Sequence, residues 1–259
     1  MRKYGFKIFS TILQKAPRLL SECVDFAETH KDVFLELMVL SENSVSDLLE
    51  IKRQTGDIEV RIHVPHNIMG FDAGNKNLEM QNIKTVMLAK HAADIFKSKT
   101  IVVHAGCGHG YNFIDETIRQ FVLFNDERII VENLPCVASN AELLHGNIAE
   151  EIKYIMDKTG CGFCFDFSHA ICAAGELNID IGYQLKSLFD LKPAVYHLCD
   201  GDITKTEDMH LNLGTGNYPL KHFVNDLIDE NAYIVLETGR GIRQHADAWF
   251  KDYEYIKAL

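Results

Sequence analysis

The sequence predicts an α/β chain folded as one (β/α)8 barrel over residues 1–259. Three observations lead there. Eight short apolar runs rich in β-branched and aromatic residues recur along the chain, and amphipathic helical stretches separate them. The length is close to the roughly 250 residues such a barrel takes. An open, doubly wound sheet has the same alternation of elements, but eight strands favour closure into a TIM barrel.

In order, the runs are KIFS at 7–10, VFLELMVL at 33–40, EVRIHV at 59–64, TIVVHAG at 100–106, RIIVEN at 128–133, GFCFDF at 162–167, AVYHLC at 194–199 and YIVLET at 233–238. They lack the polar alternation of a half-exposed strand, as strands covered on both faces do. Helical stretches with apolar residues three and four apart include APRLLSECVDFAETH at 16–30, NIKTVMLAKHAADIFKS at 82–98, ETIRQFVLF at 116–124, NIAEEIKYIMDKTG at 147–160 and PLKHFVNDLIDE at 219–230. VLSENSVSD at 39–47 reads as a loop. Five Pro and 17 Gly are dispersed, so nothing marks a domain boundary.

Composition excludes several classes. Hydrophobic residues at 47% and charged residues at 24% are those of a globular chain rather than a disordered one. Lys and Arg number 26 against 37 Asp and Glu, a net charge of -11, so the chain has no basic footprint for nucleic acid or an anionic membrane. Bound divalent cations would still offset that charge where an anionic substrate sits. Seven cysteines without a framework spacing read as reduced thiols, the Cys161–Cys164 pair included. With no leader-like start and no run of about 18 apolar residues, a cytosolic, membrane-free location is expected. The sequence points to no protein partner.

From the third strand onward, the apolar runs end in ionisable residues: His63, His104, Glu132, Asp166, His169, His197 and Glu237, with Asp208 and His210 in the loop after the seventh. On this fold the C-terminal strand ends converge on one site. A buried carboxylate without a cation is driven neutral, so Glu132, Asp166 and Glu237 require positive partners. The runs offer Arg61 and Arg240 but many imidazoles, and imidazole plus carboxylate is a ligand mixture for zinc and similar ions. Nine candidates exceed the needs of one ion and suit two or three, unless several of them orient the ligands of a single metal.

The stretches IHVPHNI, VVHAG, IVEN, FDFSHA, YHLCDGD, DMHLNLGTG and VLETG, in this order, resemble the strand-end motifs of the xylose isomerase-like barrels that include endonuclease IV. That resemblance implies up to three Zn2+ on His63, His104, Glu132, Asp166, His169, His197, Asp208, His210 and Glu237, with Glu132, Glu237 and His169 at the catalytic centre. The isomerase and epimerase branch implies instead one Mn2+, Co2+ or Mg2+ on Glu132, Asp166, His197 and Glu237, with His169 on the substrate. The expected reaction is hydrolysis of a phosphoester, in abasic-site DNA or a smaller diester. The alternatives are sugar isomerisation through an enediolate and a barrel that binds metal without chemistry.

Departures from the resemblance fall on substrate recognition. The first run reads KIFST where a His is usual, the 39–47 stretch lacks DNA-inserting basic and aromatic residues, and His66 stands where Tyr is usual. His66 and the glycines Gly214 and Gly216 are candidate contacts to a phosphorylated or sugar-like substrate. DGD at 200–202 reads as a turn at the rim.

Overall fold

In the computed structural model, which describes residues 1–239 and 243–259, the eight runs form a closed parallel barrel in chain order. The strands are β1 (Lys3–Phe9), β2 (Val33–Met38), β3 (Val60–His63), β4 (Ile101–His104), β5 (Ile129–Glu132), β6 (Gly162–Asp166), β7 (Val195–Leu198) and β8 (Tyr233–Leu236). β1 begins earlier than KIFS because Lys3–Phe6 pairs with β8 and closes the barrel. Arg240 lies outside the described residues.

Helices cover the outside, among them Pro17–Thr29, Glu79–Phe96, Tyr111–Phe124 and Ala149–Thr159. Two expectations shift. The 39–47 stretch is a loop only as far as Ser44, which caps the helix Val45–Thr55 by exchanging hydrogen bonds with Asp47. The 219–230 stretch forms a short helix, Leu220–His222, and then a wider π turn, Phe223–Leu227, closed by the Ile228 amide on the Phe223 carbonyl. Among the described residues no helix is long and apolar enough to cross a membrane.

One large apolar core lies between sheet and helices. There Phe6 stacks on Trp249 at 5.5 Å, tying β1 to the helix Asp247–Lys257. A second, small core lies inside the barrel: Phe34, Val102, Ile130, Cys164, Val195 and Val235. The Phe34 ring crosses to β1, where any Cβ at Gly5 would fall 2.5 Å from it, so that position is open only to glycine. Below, Arg61 lies 3.4 Å over the Tyr233 ring and bonds Thr100, which takes it away from the strand C-terminal ends.

Side chains alternate along a strand, so two residues beyond the small core each strand again points inward. Six of the inner-core positions, at 34, 102, 130, 164, 195 and 235, are thus followed by Glu36, His104, Glu132, Asp166, His197 and Glu237. β1 and β3 add Lys7 and His63. At this level every strand therefore gives the barrel interior one ionisable side chain.

Candidate metal centre

The fold brings all nine expected ligands to one end of the barrel. Glu132, from the end of β5, is central and fully buried. Its Oε2 lies 3.1 Å from His63 Nε2 and 3.2 Å from His104 Nε2. Its Oε1 lies 3.2 Å from His197 Nδ1 and 3.4 Å from His169 Nδ1. Glu237 Oε1 stands 2.7 Å from His197 Nδ1.

Asp166 ends β6 and caps the following helix, Phe167–Leu177, by accepting the His169 amide at 2.7 Å. That cap places His169 on the first helical turn, facing inward. Asp208 and His210 arrive from the loop after β7, with His210 Nε2 2.5 Å and His169 Nε2 3.5 Å from Asp208 Oδ2. His210 adopts φ 49°, in the left-handed region, held by the Gly239 amide on its carbonyl at 2.6 Å.

The donors fall into overlapping sets whose ligand atoms lie within 4.8 Å of one another: His63, His104 and Glu132; Glu132, Asp166 and His169; Glu36, His63, His197 and Glu237; and His169, Asp208 and His210. Glu132 belongs to two of these and to a third set with Cys164 and His197, as a carboxylate shared between ions does.

The imidazoles are also aimed. Donation from Nδ1 to a backbone carbonyl leaves Nε2 facing the carboxylates in His63 (to Val64, 2.6 Å) and His210 (to Glu237, 2.6 Å), and His169 makes the same contact to Asn133 at 2.9 Å. A metal-binding imidazole needs such an anchor on its other nitrogen. Donor chemistry, spacing and aim all fit divalent ions.

The electrostatics match. Burial alone would lower the pKa of His169, but Asp166 and Asp208 hold it up at about 10, and Asp208 likewise holds His210 at about 9 against burial. Burial opposes charge on Glu132 and Glu237, yet His197 and His104 around the first and Lys7 and His197 around the second keep both well below the usual carboxylate range. Asp166 goes the other way, raised to about 6 by burial. His66 lies on the cavity wall with its ring 5.9 Å from that of His104. Burial, together with His104 and Lys7, depresses it to about 3, so it is uncharged at neutral pH.

Two residues escaped the sequence reading. Lys7 contacts Glu237 and lies 3.8 Å from Glu36, so the first strand supplies a cation to the site in addition to the imidazoles. Glu36 is completely buried, with Oε2 3.2 Å from His197 Nε2. Each is a charged residue two positions along its strand from an inward-facing one, Gly5 or Phe34.

The amides of Gly214 and Gly216 are engaged within their own loop. The Gly214 and Gly216 amides both donate to Asp200 Oδ2 at 2.9 Å, and neither residue lines the cavity. Asp200 of the DGD turn thereby folds the loop that delivers Asp208 and His210. All seven cysteines are free, Cys164 inside the barrel and Cys161 near its edge.

Residues 18–259 match the family described as xylose isomerase-like TIM barrel. The chain belongs to that family. Within it, the chain is 24% identical over 201 residues to a protein of Mycobacterium ulcerans named probable endonuclease 4, covering 75% of this chain and 79% of that one. The fold of this xylose isomerase-like barrel superposes on endonuclease IV from Thermus thermophilus with a TM-score of 0.66 at 18% identity, over 99% of this chain and 100% of the other. On a putative xylose isomerase from Rhodospirillum rubrum the TM-score is 0.72 at 11% identity, over 100% and 98%.

Proposed function

We propose that this chain is a divalent-metal-dependent phosphoester hydrolase acting on a small phosphorylated substrate. The observation that carries the reading is the further group His169, Asp208 and His210, which shares only His169 with the Glu132 cluster. An isomerase holding one ion on Glu132, Asp166, His197 and Glu237 has no use for Asp208 and His210, nor for His63 and His104. Two neighbouring ion positions suit a displacement at phosphorus, in which attacking and leaving oxygens both need stabilising. The name of the Mycobacterium ulcerans relative, probable endonuclease 4, supports phosphodiester chemistry.

On this reading His63, His104, Glu132, Asp166, His197 and Glu237 hold one or two ions, and His169, Asp208 and His210 hold another. Bound ions supply Lewis acidity toward phosphoryl oxygens. Glu132, Glu237 and His169 stand at the reacting centre, where Glu132 ties the groups together. His66, neutral at pH 7, lies on the wall where a substrate oxygen would accept or donate a hydrogen bond. Burial of Glu132 and His197 keeps bulk water from the charges at the base of the site.

Substrate size follows from the walls. The site opens into a cavity of about 730 Å³, within the range of small-molecule sites. Among the described residues, the loops that follow the eight strands hold Lys76, Lys205 and Arg243 as their cations, against carboxylates that include Glu42, Asp72, Glu142, Asp202 and Glu207. Arg243 is turned back onto Thr238 and Trp249. A duplex tracked by several phosphate contacts requires a denser set of cations.

The test joins metal analysis to an assay panel. Two or three zinc ions per chain, with turnover of bis(4-nitrophenyl) phosphate and little nicking of an abasic-site duplex, is the expected result. One Mn2+ or Co2+ per chain with epimerisation of a ketose would overturn it.

A further inference from the structure

His197 differs from the other anchored imidazoles. His63, His169 and His210 are fixed through Nδ1 by backbone carbonyls. His197 presents Nδ1 to Glu237 and Glu132 at 2.7 and 3.2 Å, and its Nε2 meets a side chain, Glu36, at 3.2 Å. Glu36 in turn neighbours Lys7, its register partner on β1, and Lys7 contacts Glu237. The four side chains close a ring: Lys7, Glu237, His197, Glu36 and back to Lys7. All are buried or nearly so, with Lys7 the most exposed at 13% of its side chain.

We infer that the Lys7–Glu36 pair is a positioning device that aims two ligands of one ion, His197 through Glu36 and Glu237 through Lys7. The inference rests on the metal-binding reading above and goes beyond it by giving strands one and two a part in the site. An imidazole buried this deeply can turn only one nitrogen to an ion, and its other N–H needs an acceptor. Glu36 is that acceptor. A carboxylate this far inside needs a cation of its own, and Lys7 is within reach. The ion position served by His169, Asp208 and His210 lies outside the ring and meets it only where His210 Nδ1 contacts the Glu237 carbonyl, so it does not involve Glu36.

The test is chelator competition on the zinc-loaded and cobalt-loaded chain. Wild type is compared with Glu36→Leu and Glu36→Gln, with circular dichroism and a thermal melt confirming the fold. Glu36→Leu is expected to lose one ion about 10–100-fold more readily, the usual cost of removing a ligand's supporting partner. It should keep the ion on His169, Asp208 and His210. Glu36→Gln, whose carboxamide oxygen still accepts from Nε2, should lie closer to wild type.

A folded Glu36→Leu that releases every ion as wild type does would overturn the inference while leaving the metal reading intact. If Glu36→Leu does not fold, nitrogen-15 spectra of the loaded wild type decide: Nε2–H with the ion on Nδ1 of His197 is expected, and the reverse arrangement overturns it. A wild type that binds no divalent ion defeats the metal reading, and this inference with it.

Discussion

Lys7 and Glu36 are register partners on adjacent strands, and between them they join a cation and an anion inside a barrel whose other inward positions at this level are imidazoles and carboxylates. Breaking such a pair is costlier than removing it, because the survivor is stranded. In the metal-free protein, Lys7→Met is expected to lower unfolding free energy by about 3–5 kcal/mol, as for other broken buried pairs. Adding Glu36→Gln should recover part of that loss. Urea titrations of the two single variants and the double variant provide the measurement, and strictly additive losses would exclude coupling.

His210→Ala should reduce the metal content by one ion per chain and leave the remainder bound. His210 reaches Asp208 at 2.5 Å but contributes no nitrogen to the groups containing Glu132. Elemental analysis after exhaustive dialysis measures this. Glu132→Gln, by contrast, should disturb more than one ion, and its loss of turnover should exceed the roughly 10–100-fold expected of a merely supporting residue.

Metal binding should release protons. His169 and His210 have pKa values of about 10 and about 9 in the folded chain, raised from an ordinary 6.5. Their bound protons therefore stabilise the metal-free fold. That contribution is fully present below about pH 6.5 and is lost as pH rises through 9 to 10. A divalent ion must displace these protons, so its affinity should climb with pH across the same window. Calorimetry at pH 7 in buffers of different ionisation enthalpy reads the release directly, and identical heats in all buffers would contradict it.

Much of the fold was legible because eight buried strands have an unmistakable pattern. The site was legible from β3 onward because a His or carboxylate that ends an apolar run stands out. Lys7 and Glu36 were missed for a physical reason. They lie mid-strand, and only the closure of β1 against β2 and β8 shows that both point inward. The 214–216 loop is the opposite case: its two glycine amides, which the sequence offers to a phosphate, both donate to Asp200, two residues beyond β7. Nothing in the local sequence distinguishes an internal anion from an external one.

Gly216→Ala tests that account. A Cβ there would fall 2.2 Å from the Gly201 carbonyl oxygen and 2.5 Å from Asp200 Oδ1. The loop must shift, at a cost of about 1–3 kcal/mol by analogy with overpacked cores. The same shift should weaken the ion held by Asp208 and His210, which the loop delivers. Unchanged stability and metal content would mean that the loop adapts freely.

Salt gives a further check on substrate class. Turnover of a small diester should vary little between 50 and 200 mM NaCl. A protein making many backbone contacts to DNA loses roughly 10³–10⁵ in affinity over that span. A steep fall for the preferred substrate would point back to a polyanion.

The inward ring of ionisable side chains also bears on how long the protein survives. A barrel usually seals this level with branched aliphatic groups, whose cohesion does not depend on supply. Here each strand gives up that position to an ionisable group, and the carboxylates and imidazoles among them are groups that a divalent ion would satisfy. The ions would then act as interior mortar as well as reagents, so cells starved of the metal should lose the protein itself to proteolysis, and not only its activity.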